Sequence, residues 1–318
     1  TIFPVVLIYG VSITNTVDSF IVNQLGGPEI SRYILAPLCV GLMTLALAFG
    51  NAIMLKIAQF VVYPLIVALA AVSLYLIPQW DLGSFMEAGD HTAGGVIKAI
   101  ILILPVLVFS FSFVAAISQF SLGMEKEYGA DHHAQSDKVI RNSAILLTVF
   151  TMFFVWSCAL AMGADGMQEA NDKNLPVLSY FANETGTPFM AYMAPIVVIC
   201  AVASSYFGHA LGTIEGTQYL FNLAAPKATK KMSARTLDLW TYLFIFIATS
   251  LVGIFNPSIL DMISVVGGVF FAFITYLLPI WVIYRVDALA RFRGKKTNYF
   301  VAIMGLIVLF ATIWGMFQ

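Results

Sequence analysis

Apolar residues in this chain come in long, nearly unbroken stretches. They follow neither the two-residue alternation of a half-buried strand nor the narrow stripe of a surface helix. Nine stretches are long enough to cross a bilayer, which takes about 17–25 mostly apolar residues. They cover roughly 3–24, 32–50, 52–78, 96–122, 143–163, 189–220, 239–255, 258–284 and 298–317. The pattern predicts an all-α, polytopic membrane protein with nine transmembrane helices, built as a single transmembrane domain over 1–318. The sixth stretch exceeds one crossing and is expected to continue into the cytoplasm, and the third and eighth have length to tilt or kink. Prolines fall inside many of them (Pro37, Pro64, Pro105, Pro195, Pro279). A bundle tolerates these because neighbouring groups satisfy the freed carbonyls. The longest polar connections are 79–95, 123–142 and 164–188, with a short surface helix expected near 175–182.

Basic residues sort by loop. The connections after the second, fourth, sixth and eighth stretches, with adjoining helix ends, hold thirteen of the sixteen lysines and arginines. Those after the first, third and fifth hold only Arg32, Lys98 and Lys173 and are otherwise acidic or neutral. Positive charge collects on the cytoplasmic side. The Thr1 end is therefore expected in the cytoplasm and the Gln318 end, after nine crossings, outside.

Composition agrees. Hydrophobic residues make up 60% of the chain and charged residues 10%, against about a quarter charged in a soluble domain. The lipid bilayer is thus the expected surrounding. A net charge of −1 gives no basic surface for nucleic acid. Cys39, Cys158 and Cys200 lie inside apolar stretches without paired spacing, which reads as packing rather than disulfide or metal chemistry. Thr1 is not an initiator methionine, and no basic segment or cleavage site precedes the first apolar stretch. The chain is expected to begin part-way through a longer protein.

Polar groups at membrane depth are costly and mark candidate function. In the first stretch Tyr9, Ser12, Asn15, Thr16 and Ser19 fall within about a 120° arc. Such a stripe either bonds neighbouring helices or lines a cavity, and five polar residues together favour the cavity. In the fourth, Pro105 precedes Ser110, Phe111, Ser112 and Phe113. Two readings stay open, an ordinary proline kink with serines bonded back to carbonyls, or local unwinding that bares main-chain groups to a ligand. In the sixth, Gly208, Gly212 and Gly216 repeat the GxxxG spacing of close helix packing, with Ser204 and Ser205 as possible cation ligands nearby. Lys56 either snorkels to the interface or carries a proton. Asp261 suits a helix N-terminus.

These residues resemble the hydroxy/aromatic amino-acid permease family, its serine/threonine branch in particular, within the amino acid–polyamine–organocation superfamily. The resemblance rests on Leu7-Ile8-Tyr9-Gly10-Val11-Ser12-Ile13-Thr14-Asn15-Thr16-Val17, Leu74-Tyr75-Leu76-Ile77-Pro78-Gln79-Trp80, Pro105-Val106-Leu107-Val108-Phe109-Ser110-Phe111, Met193-Ala194-Pro195-Ile196, Gly208-His209, Glu215-Gly216, Asn256-Pro257-Ser258-Ile259-Leu260 and Met304-Gly305-Leu306-Ile307. It implies a LeuT-like inverted-repeat fold lacking its first two spans, with the first, fourth and sixth stretches standing for the third, sixth and eighth spans. The broken first span of that fold supplies half of the substrate site. The half expected here comprises Tyr9, Ser12, Asn15, Ser110, Phe111, Ser112 and Phe113, with Lys56, Ser204 and Ser205 as ion-coupling residues. The branch typically reads Ser-Phe-Asn-His-Ser-Pro in the sixth span, where this chain has Ser110-Phe111-Ser112-Phe113-Val114-Ala115. That predicts a less polar pocket.

The resulting expectation is a bacterial inner-membrane symporter importing a small neutral amino acid with a proton, with no cofactor beyond the coupling ion. Sodium coupling is the near alternative. A channel or an intramembrane enzyme is the alternative of another class, but no paired carboxylates, HExxH or serine–histidine pair lies at membrane depth.

Overall fold

A computed structural model describes residues 2–47, 51–87, 89, 91–184 and 187–317. Among these there is no strand. The principal helices are α1 (Phe3–Ser19, running on as a π turn over Phe20–Gln24), α2 (Arg32–Leu47) and α3 (Asn51–Leu76). They are followed by α4 (Ala93–Phe111), α5 (Val114–Tyr128), α6 (His132–Asp172), α7 (Val177–Glu184), α8 (Pro188–Ala224), α9 (Ala234–Phe255), α10 (Ile259–Arg285) and α11 (Lys296–Gly315). Eight helices are long and apolar enough to cross a membrane, so the protein is a multi-pass membrane protein. The nine-crossing expectation is met only in part. The stretch 32–50 is described as the shorter apolar helix Arg32–Leu47, and residues 48–50 lie outside the described ones.

Local chemistry sets the helix ends. Thr92 caps α4 by accepting from Gly95 N at 3.1 Å, and Ser233 caps α9 by accepting from Thr236 N at 3.2 Å. α1 and α8 each open with a proline at the start, where its missing N–H costs nothing. α9 stops at Asn256, which adopts the left-handed conformation at φ 50°, a region Asn tolerates through its short polar side chain. α6 is broken at Gly163 (φ 65°, ψ −176°). The carbonyl of Leu160 then accepts from Asp81 N at 2.9 Å instead of from its own helix.

The described chain forms two compact units. The larger comprises residues 2–88 and 148–259. In it α1 lies along α8 and touches α2 and α9, α3 and α7 also pack on α8, and α2 packs on α9. Its core is filled by Val5, Val6, Val11, Leu35, Val40, Met190, Tyr206 and Ile245. The fully buried Tyr206 hydroxyl lies 3.0 Å from that of Thr44. The smaller unit comprises residues 89–147 and 260–318, where α4 and α11 pack on α10. Inside α10, two π-helical segments, Val266–Phe271 and Phe273–Leu277, precede Pro279. A wider turn accommodates the carbonyl that proline leaves without a donor.

Close packing does not follow the GxxxG reading. Among the described residues only Gly212 of that motif is closely approached, by the Ile2 side chain, while a Cβ on Gly208 or Gly216 meets nothing within 4 Å. The tight contacts lie elsewhere. A Cβ on Gly10 would overlap Thr249, and one on Gly253 would lie 3.1 Å from Ala36 Cβ. One on Gly267 would overlap the Pro105 carbonyl, and one on Gly268 would overlap Thr312. Gly268→Ala should therefore lower stability by about 1–3 kcal/mol, the usual cost of overpacking, whereas Gly216→Ala should be neutral. Thermal unfolding of the two variants in detergent compares them directly.

Candidate functional site

The predicted site residues divide between the two units. In the smaller one the fourth stretch is interrupted, which decides between the readings left open by the sequence. α4 ends at Phe111, Ser112 is extended (φ −83°, ψ 125°), Phe113 is irregular (φ −115°, ψ 24°), and α5 begins at Val114. Ser110 behaves as in the kink reading, its exposed hydroxyl donating to Val106 O at 2.8 Å. Ser112 lies at the gap. Its Oγ is buried and, like seven other side-chain atoms among the described residues, has no hydrogen-bond partner; what sets Ser112 apart is its place at a break in the helix. Beside it is a cavity of about 230 Å³ whose walls include Leu107, Val108, Phe111, Ser112, Thr275 and Tyr276. Phe113 borders a second, almost wholly apolar cavity of about 310 Å³ with Ile117, Phe120, Val139 and Leu147. The first turn of α5 and the last of α4 carry main-chain N–H and C=O groups without helical partners. A two-residue break between two helices thus offers both signs of partial charge within a few ångströms, which suits a zwitterion.

In the larger unit the polar stripe of α1 separates into two halves. Toward Gln24 it is consumed by interhelical bonds. Asn15 Nδ2 donates to Asn174 O at 2.8 Å and to Asn256 Oδ1 at 3.0 Å. Ser179 donates to Thr16 Oγ1 at 3.2 Å, and Gln24 Nε2 donates to Asn183 Oδ1 at 2.7 Å. Asn174, itself left-handed at φ 53°, donates to Asn256 Oδ1 and Pro257 O and accepts from Ile259 N, each within 2.9 Å. Arg32 closes the same end by donating twice to Gly253 O. Just outside the spans, the Tyr180 hydroxyl donates to Glu169 at 2.6 Å, and the bond to that carboxylate pushes the phenol up to about 12.

The other half of the stripe faces α8. Ser12 is buried, and the Tyr9 hydroxyl comes close to the Ser205 side chain. The Tyr9 ring lies 5.5 Å from that of His209, whose Nδ1 is 2.9 Å from Ser205 O. Ser204 is buried and donates to Ala201 O at 3.0 Å. Lys56 is exposed on α3. Among the predicted residues the structure thus brings Tyr9 close to Ser205, and it commits the amide donors of Asn15 to the asparagine cluster. Asn174, Asn256 and the Tyr9 partner of His209 were missed by sequence reasoning. The one signal available was asparagine next to helix ends, a residue type that tolerates positive φ.

A bundle of long apolar helices, one of them opened at mid-length with a buried unpaired hydroxyl at the gap, defines a multi-pass membrane carrier. The chain belongs to the transmembrane amino acid transporter family, whose profile matches residues 6–318, and it is accordingly a transporter and not an enzyme. It is 36% identical over 322 residues to the serine transporter SdaC of Escherichia coli K12, an alignment covering 100% of this chain and 75% of that protein. It is 35% identical over 334 residues to the threonine/serine transporter TdcC of Yersinia enterocolitica, covering 98% and 75% respectively. No solved structure matches it.

The asparagine cluster makes a separate prediction. Asn174→Ala removes three hydrogen bonds and places alanine at positive φ, and should cost about 2–4 kcal/mol. Asn174→Gly should recover about 1 kcal/mol of that, the backbone part alone. Denaturation midpoints of the two purified variants test the difference.

Proposed function

We propose that the protein imports a small neutral amino acid, serine- or threonine-like, together with a proton, by alternating access in a bacterial inner membrane. The observation that carries this reading is the gap at Ser112–Phe113 with the unpaired Ser112 hydroxyl beside it. The opening turn of α5 holds the substrate carboxylate, the closing carbonyls of α4 hold its ammonium group, and Ser112 Oγ bonds whichever lies nearer. Printed activities of the relatives, serine and threonine/serine transport, support that substrate class. Phe111 and Phe113 flank the gap, so the pocket favours a small side chain over a strongly polar one.

In this reading α2 is the ninth crossing, the arrangement is the LeuT-like inverted repeat, the Thr1 end is cytoplasmic and the Gln318 end periplasmic. Lys56 is the proton carrier paired with Ser204 and Ser205. Register supports that pairing. The Tyr75 hydroxyl lies 3.0 Å from that of Thr187 and its ring 6.1 Å from Phe189. With α3 antiparallel to α8, moving nineteen residues back from Tyr75 to Lys56 leads from Thr187 and Phe189 to residues 206–208, level with Ser205.

Uptake of labelled serine and threonine by full-length protein in proteoliposomes tests the proposal. An inward proton gradient should drive accumulation, and replacing sodium by potassium should leave it unchanged. Accumulation that follows sodium alone would reassign the ion, and absence of uptake would remove the substrate class. Ser112→Ala should raise the KM for uptake by about tenfold or more, the worth of a hydrogen bond to a charged group. Its thermal unfolding should be unchanged, because Oγ bonds nothing in the folded protein. Lys56→Met should abolish gradient-driven accumulation, while equal accumulation by the variant would reduce Lys56 to a topological anchor.

A further inference from the structure

The α1–α8 face holds a second titratable group that the sequence alone gave no partner. His209 lies in the long apolar helix α8 at the level of Tyr9, about two turns inside the Phe3 end of the α1 span. Three contacts fix its level against α1. Ile2 packs on Gly212, Tyr9 on His209, and Phe20 on Tyr192 with ring centroids 6.4 Å apart. The two helices therefore run antiparallel with Tyr9 opposite His209.

We propose that His209 binds a coupling proton at Nε2, on the face it shares with Tyr9 and Ser205. This rests on the proton-coupled reading above and adds a residue to it. The geometry determines the tautomer. Nδ1 is 2.9 Å from Ser205 O, and a carbonyl only accepts, so Nδ1 carries the hydrogen. In the neutral ring Nε2 is then the lone-pair nitrogen. It has no hydrogen-bond partner among the described residues. The side chain is half-buried, so Nε2 is reachable rather than sealed in the core. Binding forms one N–H bond at Nε2, with the proton drawn from one aqueous side and released to the other.

Among the described residues of the larger unit, no hydrogen bond or ion pair joins a carboxylate to this group. At its level α1 offers Tyr9, whose hydroxyl comes close to Ser205. α9 offers Thr249 beside Gly10, and α2 offers Thr44, bonded to Tyr206. The nearest cation by register is the exposed Lys56 of α3. The other charged groups lie toward the ends of α8. Glu215 is exposed toward one end, Asp238 is bonded to Gln218 at the same end, and Asp18 of α1 and Glu184 of α7 lie toward the other. An imidazolium without a counter-ion at membrane depth is costly. A proton held without a counter-ion is readily given up again, as a coupling group requires.

The test compares His209→Asn with wild type in proteoliposomes, with labelled serine and threonine as probes. Asparagine keeps an N–H donor for Ser205 O and cannot titrate. We expect substrate exchange at equal pH on both sides to be retained, and accumulation under a proton gradient to fall to the level seen without one. Accumulation equal to wild type would make His209 a packing residue, and loss of exchange along with accumulation would make it a positioning residue, so either result overturns the proposal. If the asparagine variant does not reach the membrane, His209→Gln is judged by the same two readings. Wild-type protein that exchanges substrate but ignores the gradient defeats the proton-coupled reading itself, and the variant then has nothing to report on.

Discussion

Inside a bilayer no water is available to the main chain, so every N–H and C=O that leaves its helical ladder needs another partner. The departures from regular helix in this protein are best understood through that requirement. At Gly163 the released Leu160 carbonyl is taken up by Asp81 N from another segment. In α10 two π-helical segments absorb the distortion ahead of Pro279. α9 ends in a left-handed asparagine whose side chain is bonded by two others. At Ser112–Phe113 the interruption leaves a buried hydroxyl unpaired beside a cavity. The same requirement that forces compensation elsewhere makes this gap the natural place for a polar ligand.

The rest of the larger unit serves to hold helices at fixed distances. Lipid supplies no hydrophobic force between apolar helices, so association depends on close contact and on hydrogen bonds between them. Both are present and they lie at different positions. Gly10 and Gly253 let α1 meet α9 and α2 at near backbone contact. Asn15, Asn174 and Asn256 join three chain segments at one end of the same helices. A face of α1 that is anchored in this way along one half leaves its other half, with Tyr9 and Ser12, free to meet α8 without adapting its register.

The substrate question is narrowed by chemistry rather than by resemblance alone. Relatives named as serine and threonine/serine transporters share this chain's framework. Where the serine/threonine branch of the permease family places an amide, an imidazole and a proline in its interrupted span, this chain has Ser112, Phe113 and Ala115. Main-chain groups can still hold the ammonium and carboxylate, since they depend on the gap and not on the side chains. Side-chain recognition, by contrast, is left to one hydroxyl and two aromatic rings. α8 carries a histidine of its own, His209, with its ring orientation set by a main-chain carbonyl.

Hydropathy is a local property, and what depends on it was legible in the sequence. The stretch 189–220 became Pro188–Ala224, and 298–317 became Lys296–Gly315. The serine-rich segment after Pro105, by its own backbone competition, opened where local unwinding was one of two readings. The glycine spacing in α8 failed as a guide because a small residue permits close approach without requiring it. Which glycines are used depends on what the neighbouring helix presents, as Thr249 does to Gly10 and Thr312 to Gly268. Asn15 and Asn256 are 241 positions apart in the chain, and Tyr9 and His209 are 200 apart. Such pairs are created only when helices pack, since nothing in either segment's own hydropathy or periodicity encodes the partner it will meet. Hydropathy along the chain placed the helices and left open whether the fourth yields after Pro105. Tertiary packing decided which polar groups became cross-links between helices and which stayed available to a substrate or a proton.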